Sequence, residues 1–485
     1  MQLAKLITHK IIKTLHCLPA GRHGFFPAIL ILFFTAFTPA FSQDNSPYSR
    51  FGMGDLIPSS NVIGRSMGGI SAGYTDFVAI NFNNPASYSS FQSFFEPKSK
   101  KMTSGRAVLD IGLNFESRTL QESSPARKFV AGNALFSYLQ VGLPIKKNWG
   151  LSFGLRPLSR VSYNISHNER LIDPVTGLPI DSVITIYNGT GGTYLASFGT
   201  GFSVFTKERP NKMEEKLSVG FNAGFQFGSK DFSTRRSFLN DSVDYYQANY
   251  ETKTNFSSIY FNAGIQYKVP LNSDKKISLN IGAFGNLGQQ LNASQDRLRE
   301  TFRYDDNLGN VRQDSISDIL NVKGKIKLPA SFTIGFVAQK PIIIDKNSKH
   351  AGWMIGMDFN MQNWSSYRFY GLADSVKNNW ELRIGGAINP VPNRSYFSNV
   401  TYRVGFFMGP DYIKVGQKLS RFGASFGMGL PIPLSRQSPN QYTLINLALE
   451  YSKRGNNNNL LRENMFRFSL GFSLSDLWFG KHKYD

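Results

Sequence analysis

From about residue 106 onward, apolar and polar side chains alternate with a period of two, the spacing of a strand with one greasy and one wet face. In 217–227, Leu217, Val219, Phe221, Ala223, Phe225 and Phe227 alternate with Ser218, Gly220, Asn222, Gly224 and Gln226. Trp149, Leu151, Phe153 and Leu155 behave likewise, as do Phe466, Phe468, Leu470, Phe472 and Leu474. The pattern recurs at 106–118, 131–143, 149–165, 193–206, 217–229, 253–267, 277–290, 324–338, 351–365, 377–389, 399–409, 420–430, 442–453 and 463–475, which predicts fourteen strands.

The connections sort by length. Those after strands three, five and seven are long, at 166–192, 230–252 and 291–323, whereas those after even strands, such as 144–148, 269–276, 390–398 and 431–441, are short and carry turn formers. All the long connections therefore fall at one end, as in an up-and-down barrel. No uncharged apolar run after Gln43 reaches the roughly 18 residues of a membrane-spanning helix. A soluble sandwich or propeller would share the period. Against it, the face opposite the apolar one is Gly, Ser, Asn and Gln, the aromatics Trp149, Trp353, Trp364, Trp380 and Trp478 fall at or near strand ends, and no motif repeats every 40 to 50 residues or so. The fold expected is all-β, a 14-stranded antiparallel transmembrane β-barrel with long loops outside and both termini in the periplasm.

What precedes the barrel reads as two segments. Lys5, Lys10, Lys13 and Arg22 lead into an apolar run at 25–37, and Ala40-Phe41-Ser42 closes it as a small-x-small cleavage site. This predicts a signal peptide at 1–42, export, and residence in the cell outer membrane. Residues 43–105 lack the alternation and are rich in Gly, Ser, Asn and Pro. They contain Gly64-Arg65-Ser66-Met67-Gly68-Gly69 and Asn83-Asn84-Pro85-Ala86. Glycine permits close backbone approach, and Asn and Pro set turns, so this segment is expected to fold tightly inside the lumen of a barrel spanning 106–485.

At this point the chain resembles the FadL outer-membrane transporter family, whose members have fourteen strands and an N-terminal lumenal hatch with an Asn-Pro-Ala motif. The matching residues are Asn84-Pro85-Ala86 after the 64–69 stretch, Leu328-Pro329-Ala330-Ser331-Phe332 entering strand eight with Gly335 three residues on, and the end of strand nine from Asp358 to Trp364-Ser365. The opening Ser46-Pro47-Tyr48-Ser49-Arg50-Phe51-Gly52 also resembles a segment near the mature N-terminus of FadL-like proteins from the Bacteroidetes. The resemblance implies a hatch that includes Gly64, Gly68, Gly69, Asn83, Asn84, Pro85 and Ala86. It also implies a kink in strand three that opens the wall sideways. Pro157 lies in that strand, where it removes a ladder hydrogen bond; a simple bulge is the equally weighted alternative.

The 485 residues carry 54 Lys+Arg against 33 Asp+Glu, a formal charge of +21. Part of this excess sits on the short connections: over 144–148, 207–216, 268–276, 339–350, 390–398, 431–441 and 476–485 there are 16 basic and 7 acidic residues, a net of +9. A basic periplasmic rim suits lipid headgroups or an acidic protein partner, and no nucleic-acid-binding motif coincides with it. The expected surroundings are the lipid bilayer and lipopolysaccharide. The single cysteine, Cys17, precedes the barrel, and the histidines after Gln43 are only His167, His350 and His482, so neither a metal cluster nor a nucleophilic triad has material and no cofactor is expected.

Inward positions include Asp110, Arg156, Asp358, Glu381, Arg383, Arg403, Glu450 and Arg467, expected mainly to pair across strands. Arg156, Asp358, Arg383 and Arg403 are the candidates for ligand contact. Lys323, Lys325 and Lys327 alternate with Val322, Gly324 and Ile326 and would line one side of strand eight, either toward an anion or as a solvated strand end. The leading expectation is a channel for passive uptake of small hydrophobic molecules, of the long-chain fatty-acid or aromatic kind, through hatch and side wall. The second is a non-transporting FadL-like barrel subunit of an outer-membrane machine such as type IX secretion. An enzyme is not expected.

Overall fold

The computed structural model describes residues 46–95, 102–123, 126–207, 213–239, 246–305, 309–345, 349–432 and 441–478. The expected signal peptide lies outside these residues, as do 208–212, 346–348, 433–440 and 479–485 of the basic rim.

Fourteen antiparallel strands close into a barrel. They are β1 (Met102–Ser123), β2 (Ala126–Lys146), β3 (Trp149–Ile172), β4 (Pro179–Lys207), β5 (Glu215–Phe238), β6 (Gln247–Asn272), β7 (Ile277–Asn286, resuming as Gln290–Asp305), β8 (Gly309–Lys327, resuming as Ser331–Lys340), β9 (Gly352–Gln362), β10 (Asn379–Asn389), β11 (Thr401–Pro410), β12 (Ser420–Ile432), β13 (Tyr442–Arg454) and β14 (Leu461–Trp478). Each pairs with its neighbour in sequence, and β14 pairs with β1 from Leu461 opposite Glu122 to Trp478 opposite Gly105. Closure of β14 onto β1 leaves neither terminal strand with a free edge, which is what a lipid environment demands of strands. The outward face carries exposed apolar residues such as Phe153, Phe198, Phe225, Ile334, Phe359 and Phe406. Among the described residues no helix is long and apolar enough to cross a membrane.

The long connections expected at 166–192, 230–252 and 291–323 are instead tall hairpins. β3, β4, β5 and β6 have 24, 29, 24 and 26 residues, more than twice the roughly 9–11 a strand needs to cross lipid, whereas β9, β10 and β11 have 11, 11 and 10. Alternation fails as a signal there because above the lipid belt both faces of a strand are wet. His167, placed by the pattern in a loop, lies on β3 opposite Thr185. On β8 Ile326 is fully buried and Lys323, Lys325 and Lys327 occupy the exposed face, so of their two readings these lysines take that of solvated strand positions, not that of anion-facing lumen residues. Trp364 is also displaced from the expected girdle. It sits in a 3-10 turn after β9, buried at 4% exposure, while Trp149, Trp380 and Trp478 remain outward.

Residues 46–95 run through the lumen. They form a 3-10 turn (Pro47–Arg50), a two-residue strand (Asp55–Leu56), the short helix α1 (Val62–Ser66), a second 3-10 turn (Pro85–Ser90) and a strand (Ser93–Phe95) paired to the start of β1. Asn61 caps α1 by accepting from the Gly64 amide at 2.8 Å, and Asn84 caps the second turn by accepting from the Ala86 amide at 3.2 Å with Pro85 at its first position.

The wall meets this segment with glycine. A Cβ on Gly201 would lie 2.1 Å from the Pro85 carbonyl oxygen, one on Gly282 1.9 Å from that of Ala72, one on Gly385 2.2 Å from that of Met67, and one on Gly405 1.9 Å from the Gly68 nitrogen. These residues form lateral rows, since Gly150, Gly201, Gly220 and Gly264 are successive ladder partners across β3 to β6, and Gly356, Gly385 and Gly405 across β9 to β11. Only a residue without a side chain lets two backbones approach so closely.

Candidate functional site

Above α1 lies a cavity of about 270 Å³. Its floor is Arg65, Gly68, Gly69 and Asn83; its roof is Met53, Leu56, Trp364 and Tyr412; its walls come from β3 to β13. The roof belongs to a buried apolar cluster that also holds Tyr48, Tyr367, Ile413 and Leu419, with the Trp364 and Tyr412 rings 4.3 Å apart. The roof is mixed, with Asp411, Arg421 and Arg454 beside the apolar cluster, and the floor is polar.

The expected residues divide around this space. Arg156 donates from Nη1 to the Ser59 carbonyl at 3.0 Å and to Asn83 Oδ1 at 3.1 Å, and its guanidinium stacks 4.7 Å from the centre of the Phe82 ring. It has no carboxylate partner among the ion pairs of the described residues, so it places positive charge at the chamber wall. Arg383 donates to Glu381 at 2.6 Å and also lines the chamber. Asp358 instead lies beneath the floor, accepting from the amides of Ser71 at 2.6 Å and Ala72 at 2.9 Å. Arg403 donates to Asn446 at 3.1 Å, away from the chamber.

Gly68 and Gly69 take positive φ of 70° and 92°, and a Cβ on Gly68 would meet two wall carbonyl oxygens at 2.7 and 2.8 Å. Gly64 has the Ile70 carbonyl oxygen 2.8 Å from its Cβ position. Asn84 is wholly buried and donates to Ala72 O at 2.8 Å and to Ile265 O of β6 at 3.2 Å, so one side chain holds the turn at 85–90, the loop at 72 and the wall together. The Asn83 carbonyl accepts from Asn262, while Ala86 is fully buried.

Pro157 marks a seam. The β2–β3 ladder stops at Leu139 opposite Leu155, and pairing to β4 shifts register between Pro157 and Ser159. The edge of β3 that β2 has left is taken by the lumenal segment: Asp55 pairs with Arg160 and Leu56 with Ser159, the Ile57 amide donates to Leu158 O at 3.0 Å, and the Ser46 amide donates to Ser162 O at 3.1 Å. A strand edge exposed to hydrocarbon costs several kcal/mol per unpaired group, so an internal substitute strand is stabilising there.

Ion pairs secure the same arm from the other side. Asp55 meets Arg118 of β1 at 2.6 Å and Arg454 of β13 at 3.0 Å; Arg454 also meets Asp411 at 2.7 Å and Glu463 at 3.2 Å; Ser46 donates to Glu463 at 2.5 Å. Burial alone would raise the Asp55 carboxyl, but Arg118 and Arg454 outweigh it and hold it well below the usual carboxylate range. Arg467 joins Glu116 at 2.6 Å and Glu450 at 2.9 Å, cross-strand pairing of the kind the inward charges led one to expect. The Asp55 clasp was not legible, because Asp55 sits in an aperiodic Gly-rich stretch and its partners are more than 60 and almost 400 residues distant. Arg65 escaped notice inside its glycine motif; it bonds Asn114, Ser469, Ser137 and the carbonyls of Pro58 and Ser60. Among the described residues no group of His, Cys, Asp and Glu is placed to hold a metal ion.

The family model BamG matches residues 26–485. No curated protein matches. Similar solved structures include a Pseudomonas aeruginosa FadL homologue (14% identity, 88% of this chain and 100% of that one, TM-score 0.49). They also include the Pseudomonas putida toluene transporter TodX (14%, 88% and 100%, 0.45) and the monoaromatic hydrocarbon channel CymD (12%, 90% and 100%, 0.45).

Proposed function

The chain belongs to the BamG family, and from that premise we propose that it is a FadL-like outer-membrane channel for passive entry of small hydrophobic molecules, with residues 46–95 as its hatch. The observation that carries this reading is the chamber itself, a partly open cavity set between the roof and floor residues and reaching the wall where the β2–β3 ladder ends beside Pro157. A ligand captured among the tall hairpins enters under the roof, sets its apolar part against Met53, Leu56, Trp364 and Tyr412, and leaves sideways into the bilayer when the 46–57 arm releases β3. At about 270 Å³ the chamber is near the lower end of ligand pockets, which run from about 300 to 1,000 Å³, so it fits a monocyclic aromatic or the head and first carbons of a fatty acid. Arg156 supplies a counter-charge for a carboxylate. No cofactor takes part.

The test is uptake of radiolabelled oleate and toluene by cells with and without the gene. Faster uptake with the gene, reduced for oleate by Arg156→Ala, supports the channel; equal uptake refutes it.

A second reading, a non-transporting barrel subunit of an outer-membrane machine, is favoured by one feature. The β3–β4 hairpin ends in exposed Ile172, Val175, Leu178 and Ile180, an apolar tip that a solitary channel does not need. Purification in mild detergent separates the two: a stoichiometric protein partner supports the subunit, a lone barrel with bound lipid the channel.

A further inference from the structure

The chamber touches a second interruption of the wall. β6 pairs with the first part of β7 only from Ala263 opposite Gly285, and with the second part only up to Ser257 opposite Asn292. Residues 258–262 therefore have no ladder partner on that side, facing 286–291. β7 and β8 break at the same level, at 287–289 and 328–330, where the Leu328 amide donating to Gln289 O at 2.7 Å ties the two bends into one elbow. Across the gap to β6, among the described residues, runs one side-chain bond, Gln289 Nε2 to Phe261 O at 2.9 Å.

Tyr260, Asn262, Gln289, Leu328 and Pro329 line the chamber at this point. Two of them carry buried side-chain oxygens with no partner, Asn262 Oδ1 and Gln289 Oε1. Irregular backbone at lipid depth is tolerated where it borders an internal cavity. Along the ladder Pro157 faces Tyr194, Tyr194 faces Phe227, and Phe227 faces Ser257, so gap and seam lie on one ladder row that runs obliquely around the wall. Ile259, Phe261 and Leu287 are 61%, 58% and 73% exposed on the outer surface. The two interruptions differ in one respect: the seam at β3 is filled by the 46–57 arm and the gap at β6 is not.

We propose that the chamber opens to the bilayer through a side window between β6 and the β7–β8 elbow, gated by Gln289 and independent of the arm. This rests on the channel reading, and its test is built to fail separately. The mature protein carrying Thr333→Cys, a chamber-wall position on β8, is reconstituted in phosphatidylcholine vesicles and exposed to N-(1-pyrenyl)maleimide, which partitions into lipid. The protein without the introduced cysteine gives the background. Labelling from the membrane is expected, slowed at least tenfold by Gln289→Trp or by Leu328→Trp, and changed less than twofold by Leu158→Trp at the β3 seam. Heat-dependent gel mobility confirms that each variant is a folded barrel. Absence of labelling, or slowing by Leu158→Trp but by neither elbow variant, overturns the window. Window-dependent labelling together with gene-independent uptake would instead refute only the channel reading.

Discussion

Replacing Gly405 by alanine tests whether the lumenal segment is held by contact with the wall. The new Cβ would lie 1.9 Å from the Gly68 nitrogen and 2.1 Å from the Met67 carbonyl carbon, where ordinary contact begins near 3.4 Å. The difference, 3.4 minus 1.9, requires a displacement of about 1.5 Å, and neither partner is a flexible side-chain end. Gly68 donates to Ser425 Oγ at 3.0 Å, and a shift of that size breaks the bond. Overpacking costs about 1–3 kcal/mol and the lost bond about 1 kcal/mol, so docking of the 62–72 region should weaken by about 2–4 kcal/mol. Each 1.4 kcal/mol is tenfold, so amide exchange there in detergent micelles should accelerate by about 30- to 1,000-fold. Gly132→Ala is the control, since its Cβ would meet nothing nearer than the Glu116 carbonyl oxygen at 3.7 Å. Exchange in Gly405→Ala within twofold of that control would refute the argument that wall glycines fix the segment.

Three further outcomes are expected. Asp55→Asn removes the ion pairs at 2.6 and 3.0 Å but leaves Arg118 with Glu463 at 3.3 Å and Arg454 with Asp411 at 2.7 Å, so the arm should loosen by about 1–3 kcal/mol, read as faster exchange of the Ile57 amide. Because the folded carboxyl is held low, its contribution is full above the unfolded value near 4 and declines as pH falls toward the folded one. Pepsin cleavage within 46–57 should therefore rise between about pH 4 and pH 2 in the natural chain and rise less in Asp55→Asn; identical profiles would count against the clasp. Asn84→Ala forfeits a cap and two bonds to Ala72 and Ile265, and should lower the temperature of the heat-dependent gel shift by an amount equivalent to about 2–4 kcal/mol, unlike the exposed Asn457→Ala.

Period-two alternation found all fourteen strands, because within lipid each residue is pressed to one face or the other, and Phe221 and Phe225 leave no ambiguity about which side is out. The rule lapses where lipid ends. Ile184, Ile186 and the lysines of β8 lie on strands whose two faces both meet water or a partner hairpin, so hairpins read as loops, while Lys323, Lys325 and Lys327 stand as the solvated strand end that is one of their two readings. The path of residues 46–95 had no periodicity to report it. A signal for its snug seat was nonetheless present: an inward glycine recurs within the strands at Gly150, Gly201, Gly220, Gly264, Gly282, Gly385, Gly405 and Gly427, where a lumen filled only by water would accept any small polar residue. Arg156 and Arg383 were legible as inward charges, but their shared chamber depends on Gly68 and Gly69 forming its floor, a tertiary fact.

The seam between β14 and β1 runs for eighteen residue pairs and closes a wall whose glycines touch residues 46–95 backbone to backbone. If residues 46–95 curl before β14 closes onto β1, the wall forms against them. A chain deprived of residues 46–95 would then lack the mandrel around which its cylinder is wound, and its yield of finished barrels should fall even where every strand is intact.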